Sequence, residues 1–285
     1  MKNILLIISA LLISIYAYPQ QHRQKGKKHR KNQVEYKNVT PYKTIANNDS
    51  TGTSKKLFLR KNVLLFSGGI GEDHALCDMG KRFGFNTNVD IGFHYYTHKG
   101  LLLGLEFNYI FGRDLKGDAL HIFDNIKTSN GQIINMYGQY SQYYVAERGF
   151  FTGIKAGYAF QISKQKKHKL FTTLSAGFFR HKLFISVDGN NTPQIQGEYA
   201  KGYDRLTNGL AGKLFVGYAY LPVYSPVNFY AGIEFYYAHT QNRRAINYDT
   251  MQPETGYRQD CLIGLKVGWF ISIYKRDVKK YYYVY

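Results

Sequence analysis

Hydrolytic or acyl-transfer chemistry needs a nucleophile, a base beside it and a third group that orients the base. The histidines, serines and carboxylates are therefore the residues to place first. Of the nine histidines, His181 and His239 stand near the ends of two alternating segments, within reach of Asp and Ser side chains once those segments pair. No triad spacing surrounds either one, and both are expected as hydrogen-bonding groups at a rim. His94, His98 and His168 fall at or near short turns at the other end of the molecule. No catalytic residue is assigned, and an enzyme is not expected. Asp73 and Asp78 lack the ligand spacing of a calcium loop, and neither a metal nor a cofactor is expected. The two cysteines, Cys77 and Cys261, are too few for a disulfide framework or a zinc site. An oxidising compartment would permit one bond between them; two free thiols are the alternative.

A second set of charges follows a pattern. Asp90, Glu106, Lys155, Lys213, Glu234 and Lys266 all fall on the polar side of segments whose apolar residues recur at every second position. From Phe83 to Tyr96, the residues Phe85, Val89, Ile91, Phe93 and Tyr95 point one way. Gly84, Asn86, Asn88, Asp90, Gly92 and His94 point the other. The next segment repeats this, with Leu103, Leu105, Phe107, Tyr109 and Phe111 set against Gly104, Glu106 and Asn108. A period of two with one apolar and one polar face is a strand signal. Segments near 149–163, 169–183, 208–221, 228–241 and 259–274 obey the same rule, and 62–70 follows it weakly. The expectation is an all-β fold of eight strands.

The elements that would position these charges are defined by their connections, which alternate in length. Short ones fall at 98–100, 164–169 and 224–227, and long ones at about 114–148, 184–207 and 242–258. Transmembrane β-barrels have short periplasmic turns and long outer loops, so the chain is expected to form an eight-stranded antiparallel transmembrane β-barrel with both termini periplasmic. The 27 Tyr, 19 Phe and 28 Gly, at a mean hydropathy of -0.37, suit aromatic girdles around a polar interior. Beyond residue 20 no apolar run approaches the roughly 20 residues of a spanning helix, which excludes a helical membrane protein. Eight strands leave an interior just wide enough for side chains. The three acids and three bases must then pair inside it, and a free solute channel is not expected.

The rest of the chain divides simply. Residues 1–19 read as a signal peptide. Residues 20–60 read as a disordered basic arm, with eleven Lys or Arg against Glu35 and Asp49, and residues 61–285 as the barrel. On this topology most of the net charge of +19 lies on the periplasmic side, where it would attract anionic surfaces. Outer-membrane lipid and protein partners are expected, and export makes nucleic acid an improbable ligand. At the outer rim Asp204, Arg205, Arg243 and Arg244 are expected to form an ion-pair cluster. Loop 114–148, rich in aromatic residues and Ile, is expected to cover the barrel mouth or contact a partner. Cys77, placed in the first outer loop, and Cys261, near the start of the last strand, become neighbours where the barrel closes.

The segments FGFNTNVDIGFHY, LLLGLEFNYIFG, FDNIKTSNGQI, the ERG at 147–149, KGYDRLTNGL, INYDT and the terminal VGWFISIYKRDVKKYYYVY carry a resemblance to small outer-membrane barrel proteins of the Bacteroidota. It runs from about residue 62 to 285. The resemblance implies an accessory, non-catalytic subunit of an envelope machine, either the type IX secretion apparatus or the β-barrel assembly machinery. A lipid-modifying enzyme or a narrow channel is the alternative.

Overall fold

The computed structural model describes residues 62–163, 167–189, 191–222 and 228–273. The signal segment and basic arm expected before residue 61 lie outside the described residues, as do Lys164, Lys166 and the basic tail after Ile273.

Eight strands follow in chain order: β1 (Val63–Cys77), β2 (Phe85–Tyr96), β3 (Leu101–Gly112), β4 (Tyr143–Gln161), β5 (His168–Val187), β6 (Thr207–Tyr220), β7 (Phe229–Asn242) and β8 (Tyr257–Ile273). Each pairs antiparallel with the next, and β1 pairs with β8, so the sheet closes without an edge. The alternation read in the sequence decides which side chains face out. Val89, Ile91, Phe93, Leu103, Leu105 and Phe107 are exposed, whereas Asn86, Asn88, Asp90, His94, Glu106 and Asn108 are buried. Outward residues from Leu101 to Phe111 on β3 are all apolar, which at ordinary strand rise and tilt covers roughly 25 Å along the barrel axis. Tyr95, Tyr158, Tyr218 and Trp269 mark one edge of the belt, and Tyr109, Phe150 and Tyr237 the other. A closed ladder that satisfies its own backbone groups and shows lipid a continuous apolar belt is a transmembrane β-barrel.

The structure corrects the sequence at β1, which runs to Cys77 instead of ending near residue 70. Gly68, Gly69 and Gly71 dilute its apolar pattern, yet the ladder with β2 runs as far as the His74–Phe85 pair and the ladder with β8 as far as Cys77–Asp260. Cys77 therefore ends a strand and does not sit in a loop. The hairpin of β4 and β5 is also longer than expected, extending to the Tyr143–Val187 pair. Three long loops remain on one side, 113–142, 188–206 and 243–256, beside the short connection 78–84.

Inside, the barrel is layered. Leu65, Leu102, Phe171, Phe215, Tyr230 and Phe270 fill the end nearest the short turns. The ionic residues occupy the middle. Phe83, Ile110, Phe151, Phe179, Tyr236 and Leu262 fill the loop end, where Ile122, Phe123 and Ile133 from loop 113–142 and Ile195 and Tyr203 from loop 188–206 join them. Several inward glycines make room for this: a Cβ at Gly69 would run into Asp90 and Tyr230, and one at Gly268 into Tyr230.

Cys77 and Cys261 form a disulfide across the β1–β8 seam, with Cα atoms 5.5 Å apart and a sequence separation of 184. The bond links the two strands that close the ring. Cys261→Ser should lower the unfolding free energy by about 2–5 kcal/mol, measured by urea unfolding in micelles. An unchanged midpoint would mean that closure does not depend on the bond.

Candidate functional site

The six charges picked out by alternation meet in one network. Glu106 accepts from Lys155 at 2.6 Å and from Lys213 at 3.1 Å, and Lys213 also reaches Glu234 at 3.2 Å. Lys266 joins Glu234 at 2.7 Å to Asp90 at 3.1 Å. The carbonyl oxygen of the Asn108 side chain accepts from Lys213 (2.8 Å), Lys266 (3.0 Å) and the Tyr236 hydroxyl (3.1 Å). Asn88 donates to Glu234 and Asp73. Asp73 is a member the sequence did not reveal, because Gly68, Gly69 and Gly71 mask the alternation of β1 before it.

Taking these charges out of water costs about as much as their attraction returns. The network therefore contributes little net stability but severely punishes any change that strands one partner. Beside it lies a void of about 10 Å³ lined by Ser67, Asp90, His94, Lys155, Thr173 and Lys266 among others. That is room for one water at most.

A second polar layer closes the loop end. His181 binds Asp260 at 2.9 Å, Asp260 also accepts from Thr240, and Asn86 donates to Glu147. Above it the loops are riveted together. Arg82, in the β1–β2 connection, reaches Glu254 at 2.8 Å and Asp118 at 3.2 Å. Arg205 spans Asp118, at 2.5 Å, and Asp249, and Arg258 returns to Glu254 at 2.8 Å. Four loop segments are thus tied by three arginines. Arg82, Asp118, Asp249 and Glu254 carried no sequence signal, since each acts through a partner on another loop.

The expected rim cluster is only partly assembled. Arg244 forms a two-pronged pair with Asp204 at 2.5 and 2.7 Å. Arg205 turns away from its neighbour Asp204, with a positive φ of 45°, to make the loop rivet. Arg243 lies on the outer wall and donates to Asn208 at 2.6 Å. His181 and His239 do not converge either: His181 is inside the ring and 1 % exposed, while His239 stacks on Tyr257 outside it.

Burial would raise the Glu254 carboxyl, but the Arg82 charge and hydrogen bonds from Asn242, Arg82 and Arg258 outweigh it and hold it at about 2, against an ordinary 4.5. With a depressed folded value, the carboxylate's contribution is present above about 4.5 and lost as pH falls toward 2.

Solved structures similar to this chain include neisserial surface protein A (12% identity, covering 73% of this chain and 96% of that one, TM-score 0.37). Others are Ail, the attachment invasion locus protein of Yersinia pestis (13%, 74% and 99%, TM-score 0.36), and OprG of Pseudomonas aeruginosa (11%, 74% and 97%, TM-score 0.31). No family model and no curated protein matches the sequence. The ring, the belt and the packed interior themselves define the class, an eight-stranded β-barrel of the outer-membrane type.

Two outcomes follow. Lys213→Met leaves Lys155 and Lys266 alone against Asp90, Glu106 and Glu234, so that one buried charge is uncompensated, and should cost about 3–5 kcal/mol in urea unfolding. Amide exchange of segment 243–256, corrected for intrinsic rates, should accelerate as pH falls from 5 toward 2, and Glu254→Gln should already show the faster exchange at neutral pH. Exchange independent of both would detach Glu254 from the cap's order.

Proposed function

We propose that the chain is a non-catalytic outer-membrane barrel, with the loop side outward and both termini periplasmic, that presents its riveted cap to a protein partner in an envelope transport or assembly complex. The observation that carries this reading is the surface of the cap. Met136 (62% exposed), Tyr137 (72%), Tyr140 (60%), Tyr199 (60%) and Met251 (72%) stand in solvent on loops otherwise held by buried ion pairs and an apolar plug. Ordered loops rarely expose so much aromatic and Met surface without use, and these residue types favour protein interfaces. Tyr199 and Met251 also border a cleft of about 510 Å³ that includes Tyr203, Tyr248 and Pro193.

The packed interior speaks against a channel, and the burial of His181 with His239 on the far side of the wall speaks against a shared catalytic centre. The resemblance to accessory barrels of secretion and assembly machines supports the choice of partner class.

Native purification from gently solubilised outer membranes should recover a stoichiometric partner. The double variant Tyr137→Asp/Tyr199→Asp, at unchanged thermal stability, should reduce that recovery about tenfold or more, the loss of one or two interface hot spots. Recovery of the lone barrel at every detergent strength would overturn the reading.

A further inference from the structure

Eight arginines fall among the described residues, and they divide by side of the wall. Arg82, Arg205, Arg244 and Arg258 belong to the cap and each meets a carboxylate. Arg113, Arg148, Arg180 and Arg243 lie along the outer wall from β3 to β7, and among the described residues none of them has a carboxylate partner. Lys182 joins them. It faces Arg148 directly across the β4–β5 ladder, and both residues alternate with the outward set. Arg180 comes next on β5, opposite Phe150 on one side and Asn208 on the other. Like charges opposed across a ladder repel, and a cation facing hydrocarbon costs more still. These cations stand at the loop-side edge of the apolar belt, for Arg148 is the cross-strand partner of Phe111 and Arg180 that of Phe150.

The side chains are also held in place. The Arg148 guanidinium lies 5.3 Å from the Phe184 ring centre and 5.9 Å from that of Phe111, and it donates to the Glu147 carbonyl. Arg113 lies 5.2 Å over Tyr144. Arg243 donates its Nε to Asn208. The nearby Asp114 carboxylate accepts from the Phe85 amide on β2. Glu72, the acid on the outward face of β1, lies across the barrel and accepts from Thr87.

We infer that this arc is a binding site for the phosphates of an outer-leaflet glycolipid of the lipid A type, a phosphorylated sugar carrying several acyl chains. Guanidinium groups match phosphate oxygens in pairs, and the arc stands where headgroups meet the acyl region. The apolar strand faces below it, around Phe107, Thr152, Phe178 and Leu210, take the chains. The choice of leaflet rests on the outward orientation proposed above.

The test uses the full-length protein folded in detergent micelles and then exposed to defined lipids. Wild type should retain bis-phosphorylated lipid A through washing, as read by native mass spectrometry, and melt at a higher temperature with it. The variant Arg148→Gln/Arg180→Gln/Lys182→Gln should bind on the order of a hundredfold more weakly, at about 1 kcal/mol per cation near a headgroup. It should melt no lower than wild type without lipid, since an opposed cation pair has gone. Lys99→Gln, at a turn on the other side, should change nothing. Equal retention by the triple variant, or equal retention of dephosphorylated lipid A by wild type, would overturn the site. Displacement by equimolar phosphatidylglycerol would reject the glycolipid in favour of any anionic headgroup. Labelling of a cap cysteine on intact cells reports orientation separately, so failure of that reading is distinguishable from failure of the site.

Discussion

In hydrocarbon an unpaired backbone amide has no water to turn to, and this one constraint organises the molecule. A sheet can meet it only by closing on itself, which β1 and β8 do along a ladder reaching from Leu64 to Cys77. Closure at eight strands then sets the interior width, and the width dictates the contents. Lysines and carboxylates on the inward face have no bulk water, so each must find a counter-charge or a hydrogen-bond donor within the ring. Lys213 and Lys266 do so by sharing Glu234, and Lys155 and Lys213 by sharing Glu106.

The same scarcity of space links barrel and cap. The ring's loop end is filled by aromatic residues that continue into the loops, so that Phe123 packs against Tyr143 and Tyr203 at ring distances of 5.2 and 5.1 Å. A loop docked on such a plug has a fixed base. The arginines can then cross-link one loop to the next, which accounts for long connections held in place with only short helical turns of their own. What remains for contact with other molecules is the outside: the tyrosine and methionine surface of the cap, and the wall.

Much of this was legible in the sequence where the periodicity was strict. Phe85 to Tyr95 alternate with only Thr87 interrupting the apolar face, and Leu103 to Phe111 without a break, so their faces, and hence the inward placement of Asp90 and Glu106, could be read directly. Legibility ended where side chains stop marking the face. The glycines of β1 hid seven residues of strand and with them Asp73 and the true position of Cys77. It ended again in the loops, where partners such as Arg82 and Glu254 are 172 residues apart and no local pattern connects them. Neighbouring charges misled for the same reason: Asp204 and Arg205 are adjacent in sequence, but Asp204 pairs with Arg244, and Arg205, at a positive φ, pairs with Asp118 and Asp249.

The packed interior is the claim on which the rest stands, and planar-bilayer recording tests it most directly. Purified, disulfide-intact barrel inserted in concentrated potassium chloride should give no conductance steps at low voltage, because side chains occupy the whole cross-section. Reproducible ohmic steps from the folded monomer would contradict this account, since they would require a continuous water path through the layer of Lys213, Glu234 and Lys266.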